Sequence, residues 1–289
     1  MEYKELVKGV KIPVLGMGTW KIGGGMFSDR SQDKVVIKAL RDGIKLGMMH
    51  IDTAEIYGNG HSEEIVGKAI KPFKRKELFI TTKVSPQNLR FDDLVNSIKG
   101  SLKRLKLKYV DLYLVHWPNS RIPIKETVEA LEYVVEQGFT GFIGVSNFSV
   151  ALMEEAKSYL IKQEIVANQV EYNLLHRKPE DGLLSYCQKE KIMLIAYTPL
   201  AKGKLARPGF KILDKISEKY NKTQAQVALN WLIAKKGVVA IPKAIKIEHL
   251  KDNVGAVGWE LSKEDMKELN KEFSRPFISF SSLLSYFFS

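Results

Sequence analysis

Short apolar segments recur along the chain, and longer amphipathic segments separate them. The apolar segments are rich in β-branched residues, and each ends at polar residues or glycine, which is typical of buried strands. Between them, apolar residues return every three or four positions, which is the pattern of an amphipathic helix. Eight strands are therefore predicted, over residues 14–19, 49–52, 78–83, 110–116, 142–146, 166–170, 192–197 and 238–242.

The regular spacing of these strands predicts how they are connected. The first four intervals between predicted strand ends are 33, 31, 33 and 31 residues. A connection of that length, with a helix in it, joins parallel strands, and eight such units close into a barrel. We therefore predict an α/β fold, a (β/α)8 TIM barrel, as a single domain over residues 1–289. The 45 residues between the last two strand ends leave room for an extra helix.

Three additions to the barrel are predicted. Residues 5–12 are expected to form an N-terminal β-hairpin, and Ser262 is expected to cap an extra C-terminal helix with acidic residues in its first turn. Residues 276–289 form an apolar C-terminal tail. The alternative fold is a doubly wound open sheet, suggested by glycines at 16, 18 and 23–25. Neither glycine cluster completes the dinucleotide pattern G-x-G-x-x-G, so the barrel is favoured.

Composition excludes several classes of protein. Hydrophobic residues make up 45% and charged residues 27% of the 289 residues, as in ordinary globular proteins. The one cysteine, Cys187, excludes an internal disulfide framework, and no metal site is expected. No signal peptide and no apolar run long enough to span a membrane are recognisable, so a cytoplasmic protein without membrane contact is expected.

The basic charge balance leaves one alternative open. Lys and Arg number 45 against 33 Asp and Glu, a net charge of +12. Such a balance occurs in nucleic-acid-binding proteins, and also on lysine-rich surfaces. The basic segments 71–76 and 99–108 are predicted on the outside of the barrel, where a solvated surface is the more ordinary interpretation. We therefore expect no nucleic-acid partner.

Four functional side chains lie at the ends of adjacent predicted strands. Asp52 ends the second strand, Tyr57 follows in its loop, Lys83 ends the third strand and His116 ends the fourth. Active sites of such barrels lie at the carboxyl ends of the strands. We expect the lysine to lower the pKa of Tyr57, with Asp52 as its counter-charge, so that Tyr57 serves as a general acid. His116 would orient a substrate carbonyl, and the hydride would come from a cofactor.

Ordered motifs along nearly the whole chain resemble the aldo-keto reductases. They are residues 16–20, 51–58, 82–84, 111–118, 143–148, 168–173, 196–200 and 241–244. Within that family the chain looks most like archaeal alcohol dehydrogenases of the barrel type. The resemblance implies the tetrad Asp52, Tyr57, Lys83 and His116. It also implies an oxidoreductase that interconverts aldehydes or ketones and alcohols with NADP(H), NAD(H) or both.

The resemblance also implies where an extended dinucleotide lies. Each part of the dinucleotide is expected to be contacted by its own set of residues. These are the carboxamide by Ser146, Asn147 and Gln169, the nicotinamide ring by Tyr197, the nicotinamide ribose by Thr19 and Asp52, the pyrophosphate by Pro199, Leu200, Ala201, Lys202 and Gly203, and the adenosine end by Lys243, Ala244, His249 and Asn253. Ala244 and His249 depart from the Ser and Arg of NADPH-preferring members. Since neutral His lacks the bidentate fork of Arg, use of both NAD and NADP is expected.

The substrate and partners are predicted in the same way. The substrate pocket is expected to be lined by Trp20, Tyr57, His116 and Trp117, for a small carbonyl or alcohol. The apolar tail is interpreted either as a wall of that pocket or as a packed terminus. The alternative function is a regulatory barrel that retains the cofactor, like potassium-channel β subunits. A monomer or weak homo-oligomer is expected.

Overall fold

The computed structural model describes residues 1–25 and 27–274. The strands are β1 (Tyr3–Val7), β2 (Val10–Pro13), β3 (Met17–Gly18), β4 (His50–Asp52), β5 (Phe79–Val84), β6 (Val110–Val115), β7 (Thr140–Ser146), β8 (Ile165–Glu171), β9 (Met193–Tyr197) and β10 (Val238–Ala240). The helices are α1 (Asp33–Lys45), α2 (His61–Ile70), α3 (Phe91–Leu105), α4 (Ile124–Glu136), α5 (Val150–Tyr159), α6 (Leu183–Lys189), α7 (Lys211–Tyr220), α8 (Gln224–Ile233), α9 (Ile247–Val254) and α10 (Lys263–Glu272). The predicted apolar tail, residues 276–289, lies outside the described residues.

Strands β3 to β10 form one parallel sheet in chain order. Its two edges meet, because Leu15 bridges Ala240 and the amide of Gly16 donates to the carbonyl of Ala240 at 2.9 Å. The described chain therefore folds as a (β/α)8 barrel, as predicted. Each of the eight predicted strands overlaps one observed strand. The long interval after β9 contains the predicted extra helix, α7, ahead of α8.

Close packing at the barrel seam explains two of the glycines. A Cβ on Gly16 would lie 2.7 Å from the His50 ring, and a Cβ on Gly18 would lie 2.7 Å from the carbonyl oxygen of Ile241. Real Cβ atoms do not approach other atoms this closely. These glycines therefore serve the closure of the barrel, which agrees with their sequence interpretation as close-approach positions rather than a dinucleotide fingerprint.

The N-terminal hairpin closes the amino-terminal end of the barrel. Strands β1 and β2 pair antiparallel, and Leu6 and Ile12 are buried in the same apolar cluster as Phe79 and Met193, which begin β5 and β9. The Lys4 ammonium donates hydrogen bonds to three main-chain carbonyls, those of Ile233, Lys235 and Val238, at 2.5, 2.6 and 2.7 Å. The hairpin is thus joined to the end of α8 and the start of β10.

The predicted closing helix is present as α10. The Ser262 hydroxyl accepts from the amide of Asp265, and Glu264 and Asp265 lie in the first turn. An oxygen cap and acidic residues stabilise the exposed amides at a helix start. Among residues 1–25 and 27–274, no helix is long and apolar enough to cross a membrane.

Candidate active site

The four predicted tetrad residues come together at the carboxyl end of the barrel. Asp52 ends β4, Lys83 lies in β5, and His116 directly follows β6. These three strands are hydrogen-bonded neighbours, so their carboxyl ends lie side by side. Tyr57 is carried by the loop between β4 and α2. The amide of Glu55 donates to the carbonyl of Lys83 at 3.3 Å, which joins this loop to β5.

The Lys83 ammonium is fully buried and uses all three of its hydrogen-bond donors. It donates to Asp52 Oδ1 at 2.5 Å, to the Thr53 carbonyl at 2.8 Å and to Tyr57 Oη at 3.4 Å. Burial by itself would lower the pKa of Lys83. The negative charge of Asp52 and the contact with Tyr57 outweigh it, and the pKa lies above its usual value. A permanent cation is therefore placed next to the phenol.

Tyr57 is buried between two aromatic rings. Its ring makes edge contacts with Trp20 at 5.0 Å and with His116 at 5.5 Å between centroids. Its hydroxyl lies 3.5 Å from His116 Nε2. The phenol oxygen is thus approached by one cation and one imidazole nitrogen. That arrangement suits a group that transfers a proton to a carbonyl oxygen.

The expected direction of the Tyr57 pKa was wrong. Lys83 does lower the pKa of Tyr57, but burial of the phenol is the larger effect and raises it above its usual value, and Asp52 raises it further. Sequence reasoning included the charges and omitted desolvation, which disfavours phenolate in a buried site. Tyr57 is therefore a protonated phenol at neutral pH.

His116 is neutral at physiological pH. Burial and the nearby Lys83 cation lower its pKa to about 3. A neutral imidazole has one N–H donor and one acceptor nitrogen, so His116 can direct a hydrogen bond at a carbonyl oxygen without titrating between pH 5 and 8. The His116 main-chain carbonyl accepts a hydrogen bond from Asn147 Nδ2 at 3.1 Å.

The three predicted carboxamide-binding residues belong to one hydrogen-bond network. Asn147, in the left-handed conformation at φ 63°, donates to Ser146 Oγ at 2.9 Å and accepts from Tyr197 Oη at 3.1 Å. The hydroxyl of Ser146 donates to the Gln169 carbonyl at 2.8 Å. Gln169 Nε2 donates to Asp52 Oδ2 at 2.7 Å, so Gln169 also secures the carboxylate that pairs with Lys83. Sequence reasoning did not foresee this contact.

The two residues predicted to contact the ribose, Thr19 and Asp52, are buried and hydrogen-bonded to each other. Thr19 is fully buried, and its hydroxyl donates to the main-chain carbonyl of Asp52 at 2.9 Å while accepting from Ser62 Oγ at 2.9 Å. Both carboxylate oxygens of Asp52 are already paired, with Lys83 and Gln169. The polar side-chain atoms of both residues therefore already have partners within the protein.

The predicted pyrophosphate loop has an unusual backbone. Thr198, Ala201, Lys202 and Gly203 all have positive φ angles, of 51°, 48°, 57° and 89°. Main-chain turns of this kind can bring N–H groups together into a concave surface for an anion. Pro199 is buried, Leu200 is half-buried and Lys202 is exposed. A neighbouring surface pocket of about 410 Å³ is lined by Lys202, Gly203, Lys204, Arg207, Pro208, Gly209 and Phe210.

Two lysines on either side of the barrel seam, Lys21 and Lys243, lie close enough for their charges to interact. Partial burial lowers the pKa of Lys243, which follows β10, and the positive charge of Lys21, which follows β3, lowers it further. No ion pair of either lysine is present among the described residues. Two such cations fit an anionic ligand. Sequence reasoning missed Lys21, although its position directly after Trp20 at a strand end was a usable signal.

The remaining predicted adenosine-site residues are grouped around α9. Ala244 is half-buried before the helix, His249 is exposed in its first turns, and Asn253 is buried near its end. The exposed side chain of Lys246 lies at the helix N-cap position. A helix N-terminus flanked by cations is favourable for phosphate. The donor set thus suits the phosphate groups of a dinucleotide.

Two of the predicted substrate-pocket residues, Trp20 and Trp117, are partly exposed. Trp20 is 46% exposed and Trp117 is 49% exposed, an unusual exposure for such large apolar side chains. Trp20 contacts Tyr57, and Trp117 directly follows His116. Exposed aromatic side chains beside buried polar groups are a combination that small-molecule sites use.

Comparisons with known proteins agree with this geometry. The model of the Aldo/keto reductase family matches residues 14–272. The chain is 38% identical to methylglyoxal reductase YeaE of Escherichia coli (92% of this chain, 93% of that protein). It is 40% identical to the glyoxal reductase of Bacillus subtilis (92% and 91%).

Solved structures show the same likeness. A thermostable aldo-keto reductase, Tm1743, crystallised with the inhibitor epalrestat, superposes with a TM-score of 0.91 at 50% identity, covering 94% of this chain and 100% of that one. An aldo/keto reductase from Klebsiella pneumoniae, in complex with NADP and acetate, superposes with a TM-score of 0.84 at 35% identity, covering 93% and 94%. The chain therefore belongs to the aldo/keto reductase family, oxidoreductases that interconvert carbonyl groups and alcohols with a nicotinamide cofactor.

Proposed function

We propose that the protein reduces small aldehydes with NADPH or NADH, and that Tyr57 is the general acid. The observation that carries this proposal is the Lys83 ammonium, which donates to Tyr57 Oη at 3.4 Å while paired with Asp52 at 2.5 Å. The resident cation stabilises negative charge on the phenol oxygen as the proton leaves.

The nicotinamide of the cofactor, when bound, would supply the hydride to the carbonyl carbon. Tyr57 donates its proton to the carbonyl oxygen as that oxygen becomes an alkoxide. Neutral His116 donates a hydrogen bond to the same oxygen and fixes its position. Asp52, secured by Gln169, keeps Lys83 charged.

The protonation state of Tyr57 favours reduction over oxidation at neutral pH. The raised pKa of Tyr57 keeps the phenol protonated, which is the form needed to protonate a carbonyl oxygen. Alcohol oxidation needs the phenolate, so its rate should rise with pH above neutrality, while reduction should stay nearly constant between pH 6 and 8. Initial rates in both directions across pH 6–10 measure this difference.

Replacement of the phenol tests the role of Tyr57. Tyr57→Phe should lower kcat for aldehyde reduction by about 10²–10⁴-fold, the usual contribution of a general acid. NADPH binding, measured by fluorescence titration, should persist because the ring contacts remain. Tyr113→Phe is the matched control, since Tyr113 is fully buried and its hydroxyl has no hydrogen-bond partner in the described structure. Undiminished activity of Tyr57→Phe would refute the assignment.

Use of both cofactors is proposed from the adenosine end of the site. Ala244 and His249 stand where NADPH-preferring members are expected to carry Ser and Arg, while the lysines at 243 and 246 still offer charge to a 2′-phosphate. We expect kcat/KM for NADPH and for NADH to differ by less than a hundredfold. His249→Arg should raise the preference for NADPH by about tenfold, because a bidentate guanidinium adds roughly 1.4 kcal/mol. A larger native preference for NADPH contradicts dual use.

The substrate class is proposed from the pocket and the relatives together. The aromatic side chains of Trp20 and Trp117 beside the tetrad suit short aldehydes, and two relatives are named methylglyoxal reductase and glyoxal reductase. Short α-dicarbonyl aldehydes should therefore be reduced with a higher kcat/KM than simple ketones. The closer likeness to archaeal alcohol dehydrogenases, the cytoplasmic location, a monomer or weak homo-oligomer, and the absence of a nucleic-acid partner remain predictions from the sequence.

A further inference from the structure

The loop after β9 has a backbone that its own sequence does not favour. Thr198, Ala201 and Lys202 are ordinary L-residues, yet each lies in the left-handed region. Such a conformation costs of order 1–3 kcal/mol per residue and persists only where neighbouring groups fix it. For Thr198 the cost is greater, because its side chain is β-branched. Some group outside the loop must therefore stabilise its first turn.

Asn173 supplies that stabilisation. It follows β8, is 1% exposed, and its Nδ2 donates to the Thr198 main-chain carbonyl at 3.0 Å. The same carbonyl accepts from the Ala201 amide at 2.9 Å. Both lone pairs of the Thr198 oxygen are thus used, one within the loop and one by Asn173. The side chain of Asn173 is the contact that fixes the peptide between Thr198 and Pro199.

The side-chain oxygen of Asn173 also has hydrogen-bond partners. Oδ1 accepts from the amides of Leu175 and His176, both at 2.9 Å. The backbone of Asn173 pairs with His176 in an isolated bridge. The side chain therefore cannot rotate without breaking these contacts. It is a rigid connection between the turn after β8 and the loop after β9.

We propose that Asn173 is a positioning residue for the dinucleotide-binding loop, 198–203. It acts through the Thr198 carbonyl and presets the left-handed backbone that receives the cofactor's pyrophosphate. A preset loop loses little conformational freedom on binding, and affinity rises accordingly. The side-chain hydrogen bonds of Asn173 go to Thr198, Leu175 and His176, and not to the tetrad or the predicted nicotinamide residues. This inference rests on the proposed cofactor use.

Asn173→Asp isolates the contact. Aspartate keeps an oxygen for the amides of Leu175 and His176, but it places a second oxygen against the Thr198 carbonyl in place of the N–H donor. We expect the Kd for NADPH to rise about tenfold, equivalent to roughly 1.4 kcal/mol. We expect kcat at saturating NADPH to fall by less than about threefold, since a hydrogen bond to the loop bears on binding rather than on the chemical step.

Two further measurements separate positioning from general stability. Gln188→Ala is the matched control, because the half-buried Gln188 side chain also donates an amide hydrogen bond to a main-chain carbonyl, that of Lys236 just before β10, away from the dinucleotide-binding loop and α9. It should lower the melting temperature without changing the Kd. Thr198→Gly removes the left-handed strain at the contact, so Asn173→Ala should raise the Kd less in that background than in the native one, a non-additive cycle.

The ligand used in the titration identifies the part of the cofactor concerned. 2′-Phospho-ADP-ribose contains the pyrophosphate and lacks nicotinamide, and Asn173→Asp should weaken it as much as NADPH. Unchanged Kd values in Asn173→Asp, or a weakening confined to NADPH, would overturn the inference. Failure of the native protein to bind either ligand would instead overturn the proposed cofactor use. If Asn173→Asp does not fold, the Asn173→Ala and Thr198→Gly cycle decides.

Discussion

Two lysine side chains, at opposite ends of the barrel, each satisfy three hydrogen bonds and yet differ in charge behaviour. Lys4, at the amino-terminal end, donates to three neutral main-chain carbonyls. Lys83, at the carboxyl end, donates to one carbonyl, one phenol and one carboxylate. Burial lowers the pKa of Lys4 to about 8, against the opposing charge of Glu2. Burial also acts against Lys83, but its pKa lies above the usual value.

The difference shows what a carboxylate adds to a buried ammonium. Neutral carbonyls satisfy the geometry of the donors and do not restore the lost hydration of the charge. A paired carboxylate compensates for that loss, so the pKa of Lys83 lies above its usual value although the side chain is buried. The amino-terminal lysine therefore secures structure, and the carboxyl-terminal lysine keeps a permanent positive charge beside a reacting group.

The largest expected effect concerns Lys83. Lys83→Met should lower kcat for aldehyde reduction by about 10³-fold or more, because the phenol loses its neighbouring cation. It should also destabilise the fold by roughly 3–5 kcal/mol, since Asp52 is left buried without its partner. Steady-state rates and urea unfolding measure the two quantities. An active Lys83→Met enzyme would show that the cation is dispensable.

A smaller effect, on stability alone, is expected at Lys4. Lys4→Met should lower the free energy of unfolding by about 3 kcal/mol, because three main-chain carbonyls at the end of α8 lose a charged donor. The kcat of the folded fraction should equal that of the native enzyme. A fully folded Lys4→Met protein with reduced kcat would show that the amino-terminal end of the barrel also affects catalysis at the carboxyl end.

The smallest effect is a pH dependence. The Lys4 pKa is about 8 in the folded protein and 10.5 in its unperturbed state, so between these values the unfolded chain binds more protons. The contribution of Lys4 to the free energy of unfolding should therefore rise with pH between about 8 and 10.5. Between pH 7.5 and 9.5 the native protein should gain about 2 kcal/mol relative to Lys4→Met. A constant difference between the two proteins would show that Lys4 does not titrate there.

Sequence reasoning located the tetrad because strand ends are local features. The apolar segments before Asp52, Lys83 and His116 set where each strand stops, and parallel strands then bring those ends to one rim. The contact between Gln169 and Asp52 could not be found in this way, because it joins residues 117 positions apart through side chains pointing across the barrel. Asn173 was missed for a similar reason, since its role depends on the Thr198 carbonyl that the fold brings to it.

The sequence by itself determined the order of strands and helices, the closed barrel, and the residues at its carboxyl rim. These follow from hydrophobic periodicity and from the constraint that parallel strands need long connections. Only the tertiary structure decided the protonation of Tyr57, the neutrality of His116 and the opposite shifts of Lys4 and Lys83. Each depends on the balance between desolvation and nearby charge, and that balance exists only when distant segments have packed together.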